Sequence, residues 1–212
     1  MIDVAAVLFD CDGVLVDSAA SVERAWRRWA TERGLDEDAV VAVAHGRRTE
    51  DTLVDLGFSD DLAAEVERIE SAEVADAASV SAYPEAAALL PTLPPDAWAV
   101  VTSGTPALVT SRLAAAGLPL PPVLVTADDV AAGKPDPQGY LKAAQRLGRA
   151  PADCLVIEDA PAGVQAALAA GMRVVALPTT HPAEELAAAM LVAPWEDVVV
   201  SVNGGRIKLA LR

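Results

Sequence analysis

The stretch Val7-Leu8-Phe9-Asp10-Cys11-Asp12-Gly13-Val14-Leu15-Val16-Asp17-Ser18 decides how the rest of the chain is read. An apolar run from Val4 to Phe9 stops at two carboxylates with one residue between them. A glycine and a second short apolar run follow. A short apolar run closed by turn residues predicts a buried strand. Asp10 and Asp12 then lie just past its C-terminal end, the edge of an open parallel sheet where ligands bind. Carboxylates so close repel unless positive charge, such as a divalent metal, sits beside them. An Asp/Gly turn after an edge strand would look the same over so short a stretch, so the rest of the chain decides.

Downstream, Val22, Trp26 and Trp29 recur at helical spacing, with Glu23, Arg24, Arg27 and Arg28 on the other faces. This predicts an amphipathic helix over 18–33, capped by Ser18 or Ser21 and ended by Gly34, with both tryptophans in a core. Short helices are predicted over 36–44 and through Asp51 and Leu56. A longer one over 60–78 carries Leu62, Val66 and Ile69 on one side. A βαβ crossover needs only one helix, so the excess predicts an inserted helical subdomain over 17–84. Residues 1–16 and 85–212 would form the core.

Alternation resumes after Tyr83-Pro84. The pattern predicts a helix over 85–90, a strand over 98–102 ending in Ser103-Gly104, and a helix over 106–116 closed by Gly117. Next come a strand over 123–126, the loop Gly133-Lys134-Pro135-Asp136-Pro137 and a helix over 138–147. A strand over 154–157 ends in Glu158-Asp159. An alanine-rich helix over 161–170 has Pro161 in its first turn and Gly171 past its end. A strand over 173–177 follows. Val198–Val202 and Arg206–Leu211, around Asn203-Gly204-Gly205, predict a hairpin forming an edge or small flap. The expected fold is α/β: a doubly wound, Rossmann-like parallel sheet with an inserted all-helical cap.

The 212 residues are 53% apolar and 22% charged, which predicts a folded protein. No apolar run approaches ~18 residues, so no membrane span is expected. The net charge of −15 argues against a nucleic-acid surface. A small anionic substrate would need local positive charge from metal, lysine, arginine or helix N-termini. The acidic start Met1-Ile2-Asp3 is unlike a leader peptide, and Cys11 and Cys154 make no disulfide framework. A cytoplasmic location is therefore expected, and nothing demands a partner chain, so a monomer is expected.

Four polar clusters follow buried strands or sit in the loop after one: Asp10/Asp12, Ser103/Gly104, Lys134 and Glu158/Asp159. In a parallel sheet they converge on one edge. Their chemistry fits phosphoryl transfer. Asp10 can be a carboxylate nucleophile, and Asp12 can protonate the leaving oxygen and then deprotonate water. Glu158 and Asp159, with Asp10, suit Mg²⁺. The Ser103 hydroxyl and nearby N–H groups can hold phosphate oxygens, and Lys134 can neutralise developing charge.

The order DxDGxLxDS, TSG at a strand end, GKPDP, then an ED pair with AGVQAA resembles the haloacid dehalogenase superfamily of phosphohydrolases, from residue 4 to about 177. The helical insert resembles the cap of its β-phosphoglucomutase-like branch. His45-Gly46-Arg47-Arg48-Thr49, Trp98 to Thr105 and Glu158-Asp159-Ala160-Pro161-Ala162-Gly163 resemble the sugar and polyol phosphatases, a group that includes glycerol-phosphate, hexitol-phosphate and 2-deoxyglucose-6-phosphate phosphatases. The resemblance implies Mg²⁺-dependent hydrolysis of a small phosphorylated metabolite. By it Asp10 is the nucleophile, Asp12 the acid/base and a metal ligand through its carbonyl, and Asp159 a metal ligand. Glu158 would touch the metal or one of its ligands, and Ser103, Gly104 and Lys134 would hold the phosphate.

True haloacid dehalogenases lack the second aspartate, which is present here as Asp12. Phosphonatases and β-phosphoglucomutase use a cap lysine, whereas the lysines here are Lys134, Lys142 and Lys208. A phosphosugar mutase stays as the alternative, and a phospho-receiver or silent binding module as a third reading. In the cap, the loop from His45 to Thr49 is the candidate substrate contact. Gly46 would allow a bend, Arg48 and Arg47 would reach hydroxyls or phosphate, and His45 would contact substrate or hydrogen-bond locally.

Overall fold

A computed structural model describes residues 1–212. The N-terminal apolar run forms two strands, β1 (Ile2–Val4) and β2 (Ala6–Phe9), followed after a tight loop by β3 (Val16–Asp17). Four helices come next: α1 (Ala19–Arg33), α2 (Glu37–Ala44), α3 (Thr49–Asp55) and α4 (Leu62–Ala75). The chain returns through β4 (Ser81–Ala82), α5 (Pro84–Leu89), β5 (Trp98–Val101), α6 (Pro106–Ala115) and β6 (Leu124–Val125). It continues with α7 (Gln138–Arg146), β7 (Cys154–Glu158), α8 (Pro161–Ala169), β8 (Arg173–Ala176) and β9 (Leu191–Val192). It closes with β10 (Val198–Asn203) and β11 (Arg206–Leu211).

Six strands make a parallel sheet in the order β6-β5-β2-β7-β8-β9. The chain winds outward from β2 through β5 and β6, then crosses back and winds the other way through β7, β8 and β9. The reversal lies at β2, the position where such sheets bind ligands. Successive residues of each strand face opposite layers. Val7, Phe9, Val100, Leu155 and Ile157 pack with Val109 and Leu113 of α6. Ala6, Leu8, Val101 and Val156 pack with Tyr140 of α7 and Val164 of α8. Helices cover both faces, which is why these strands read as continuous apolar runs.

The run from Val4 to Phe9 is not one strand. β1 pairs antiparallel with β11 (Ile2 with Leu209), while β2 lies between β5 and β7. At the junction the Ala5 N–H turns to the carbonyl of Asp153 (2.8 Å). The hairpin therefore forms a separate three-stranded sheet, β1-β11-β10, rather than an edge of the main one. Its turn is Gly204-Gly205, both at positive φ, the conformation a two-residue hairpin turn requires.

Helices α1–α4 bury their own apolar cluster, which includes Trp26, Trp29, Val40, Leu53 and Ile69. Trp29 lies edge-on to both Trp26 and Phe58. The chain enters and leaves these helices through the antiparallel pair β3–β4. Ser18 stands at the N-cap position of α1 but makes no capping bond. Its hydroxyl is held elsewhere, as described below. No helix is long and apolar enough to cross a membrane.

Candidate active site

The sheet order sets β6, β5, β2 and β7 side by side, so their C-terminal ends deliver the polar clusters to one place. Asp10 follows β2, Ser103 follows β5, Glu158 ends β7 and Asp159 comes next, and Lys134 lies in the loop after β6. All but Ser103 are buried. Lys134 Nζ donates to Asp10 Oδ1 and to Glu158 Oε1 (2.5 Å). No hydrogen bond engages Asp10 Oδ2.

Glu158 is fully engaged. Its Oε1 also accepts from Tyr140 Oη (2.8 Å), and Oε2 accepts the backbone N–H groups of Asp159 (2.8 Å) and Ala160 (3.0 Å). A side chain at Gly163 would collide with this carboxylate, which fixes glycine there. Asp159 Oδ2 accepts from Thr180 Oγ1, and Thr179 Oγ1 donates to the carbonyl of Gly13 (2.6 Å). Gly13 has φ of 74°, and a Cβ there would collide with Asp159. The DxDG turn is thus moulded around the second carboxylate.

Carboxylate oxygens of Asp10, Glu158 and Asp159 lie within 4.8 Å of one another. Only Lys134 stands among them. Burial pushes Asp10 up to about 8, against the pull of Lys134. Burial, with the Glu158 and Asp10 charges, pushes Asp159 well above the carboxylate range. Glu158 is displaced down: burial opposes its charge, but Lys134 and the donors on both its oxygens outweigh that. Two buried carboxylates short of positive charge, presenting hard oxygen donors, fit a divalent cation such as Mg²⁺.

Asp12 is held at both oxygens. Ser18 Oγ donates to Oδ1 (2.6 Å) and Arg112 Nη1 to Oδ2 (2.8 Å). This bond explains why Ser18 does not cap α1. Arg112 of α6 also donates through Nη2 to Glu73 of α4. Neither residue stands out in the sequence, because Arg112 reads as one more helix cation and Glu73 as one more helix acid. Tyr140 and Thr180 likewise lack any local signal.

A cavity of about 60 Å³ is lined by Asp10, Asp12, Ser103, Gly104, Asp159 and Thr180 from the sheet side, and by His45, Gly46 and Arg47 from the helical side. Ser103 Oγ donates to the carbonyl of Gly46 (3.3 Å). The Gly104 N–H turns to Thr102 Oγ1 (3.1 Å). Gly46 has φ of 74° and lies so close to Ala160 that a Cβ would not fit. His45 is half-buried, and burial lowers its pKa. Arg48 does not line this cavity. Asp51 takes its guanidinium in two hydrogen bonds (2.7 and 2.6 Å), and it packs beside Gly133. It borders instead a larger groove of about 1010 Å³ between α4 and the loop at 127–131. Of the two arginines, Arg47 therefore lies closer to the chemistry; it pairs with the exposed Asp55 (2.7 Å).

A haloacid dehalogenase-like hydrolase profile matches residues 4–171. Hexitol phosphatase A of Escherichia coli is 47% identical over 175 residues, covering 80% of this chain and 81% of that protein. The validoxylamine A 7'-phosphate phosphatase of Streptomyces hygroscopicus is 40% identical over 192 residues, covering 86% and 89%. The crystal structure of a hydrolase from Pseudomonas syringae superposes with a TM-score of 0.81 at 29% identity, covering 89% of this chain and 93% of that one. With a family match spanning most of its length and carboxylates gathered where that fold binds ligands, the chain belongs to the haloacid dehalogenase-like hydrolases and is an enzyme of that family.

Proposed function

We propose that the chain is a Mg²⁺-dependent phosphatase of small sugar or polyol phosphates that works through an aspartyl-phosphate. The observation that carries this reading is the pairing, in one small cavity, of Asp10, its Oδ2 free and its Oδ1 held by Lys134, with Asp12. Asp10 Oδ2 attacks phosphorus, and the bond from phosphorus to the substrate oxygen breaks. Asp12 gives its proton to the departing alkoxide, which leaves as the alcohol. A water then attacks phosphorus and gives a proton to Asp12. The Asp10–phosphorus bond breaks, and inorganic phosphate and the starting carboxylate are restored.

Lys134 neutralises charge on Asp10 and the phosphoryl group, and Ser103 lies at hand for a phosphoryl oxygen. Asp10, Asp159 and the carbonyl of Asp12 would hold Mg²⁺, with Glu158 fixing Lys134 and the start of α8 around it. The ion supplies charge compensation between the nucleophile and an anionic phosphate. Helices α1–α4 act as a cap over residues 17–84, hinged at β3–β4, that excludes water and contacts the leaving group. That cap contains no lysine. The named activities of the relatives support the sugar and polyol class.

Phosphate release from a panel of hexose, hexitol, glycerol and glycolate phosphates tests the reading, with Mg²⁺ and with chelator. Turnover is expected only with Mg²⁺, strongest on a sugar or polyol phosphate, and lowered at least about 10³-fold in Asp10→Asn. Full Mg²⁺-dependent turnover by that variant would exclude Asp10 as nucleophile. Isomerised phosphosugar in place of free phosphate would make the enzyme a mutase.

A further inference from the structure

Arg112 sits on α6 of the sheet domain with its side chain 3% exposed. One end of its guanidinium holds Asp12 Oδ2 (2.8 Å); the other holds Glu73, on α4, whose side chain is 4% exposed. The remaining donor, Nε, is buried with no partner. A buried guanidinium has a fixed fork of donors and cannot lose its charge. Its charge is met by the half-buried Asp12 of the catalytic loop on one side and by the buried Glu73 of the helical insert on the other. Ser18 fixes the second oxygen of Asp12 from the start of α1. Asp12 is thus held directly by two groups, Ser18 at the entry to α1 and Arg112, and through Arg112 it is tied to Glu73 on α4.

We infer that Arg112 is the positioning residue for the acid/base Asp12, and that Glu73 makes the seating of α4 part of that positioning. The inference rests on the phosphatase reading above. Without the helical insert in place, Arg112 loses its outer anion and Asp12 loses Ser18. Proton transfer to the leaving alcohol then becomes inefficient, although the nucleophile and phosphate site are intact.

The test compares kcat/KM on two substrates in the same samples of wild type, Arg112→Gln, Arg112→Lys and Glu73→Gln. One is p-nitrophenyl phosphate, whose phenolate leaves without needing a proton. The other is a hexitol phosphate, whose alkoxide needs one. This quantity runs only as far as alcohol release, so the later water attack does not enter it. The ratio between substrates is also independent of how much enzyme is folded. Arg112→Gln should lower kcat/KM on the alkyl phosphate about 30-fold and on the aryl phosphate less than about threefold. Arg112→Lys should recover part of the alkyl activity, and Glu73→Gln should shift the ratio the same way by about threefold to tenfold. Equal losses on both substrates, or an unchanged ratio in every variant, would overturn the inference. Asp10→Asn runs alongside: if it hydrolyses both substrates normally, the assignment of Asp10 as nucleophile fails, a result distinct from an unchanged ratio.

Discussion

The two walls of the small cavity are held in different ways. On the sheet side, Lys134 bridges Asp10 and Glu158, each over twenty residues away in sequence, and Tyr140 and Thr180 complete the carboxylate shell from α7 and the segment after β8. On the helical side, Arg47 pairs with Asp55 and Arg48 with Asp51, both partners lying in the adjoining α3. Loss of Lys134, Asp10 or Glu158 from the sheet wall strands a buried charge. The helical wall can exchange a residue and rearrange within one loop. The contacts are long-range and buried where the carboxylates gather, and local where Arg47 and Arg48 lie.

Lys134→Met should break the sheet wall most severely. It leaves three buried carboxylates without their cation, and losing one partner of a buried pair costs about 3–5 kcal/mol. Urea unfolding in chelator should show that loss, and turnover should fall at least about 100-fold. A variant as stable as wild type would mean that the carboxylates are not held by this lysine.

On the other wall, Arg47→Ala is expected to raise KM about tenfold on a sugar or polyol phosphate with kcat within about twofold, the signature of lost uniform binding. Arg48→Ala should change KM by less than about twofold. The reverse ranking would place Arg48, and with it the larger groove, on the substrate's path.

The smallest effect is expected inside the helical insert, at Glu65. Its carboxylate takes Trp29 Nε1 (2.7 Å) and Arg33 and is lowered from 4.5 by these two bonds. A carboxyl lowered in the folded state stabilises above its ordinary range and ceases to do so as pH falls through the lowered value. Glu65→Gln should therefore cost about 1 kcal/mol or less at neutral pH. Melting curves of the two proteins should converge as pH falls through that lowered value. A gap that persists in acid would trace the loss to packing instead of charge.

Much of the sheet could be read from the chain because its signals are local. Trp98–Val101 and Cys154–Glu158 are short apolar runs ending in polar residues, and Pro161 and Gly171 bracket α8 where their backbone preferences place them. The convergence of Asp10, Ser103, Lys134 and Glu158/Asp159 follows from strand alternation alone. What could not be read depends on distant partners. Nothing near Ala5 says that the run breaks there, because the cause is competition between β11 and the carbonyl of Asp153. Arg112 is 100 residues from Asp12 and 39 from Glu73. The order of Arg47 and Arg48 turns on which one Asp51 captures, a choice between adjacent identical side chains that no periodicity expresses.

The pairing of Ile2 with Leu209 has a consequence during synthesis. Ribosomes extend chains at ~5–20 residues per second, so β1 emerges ~10–40 seconds before the strand that completes it. β2 waits as well, because its neighbours β5 and β7 both lie far downstream. The segment ending in Asp10 is therefore an apolar strand without a neighbour until β5 emerges, and without its second until β7 does. It is the place where a nascent-chain chaperone would be expected to bind, and where self-association would start if none did.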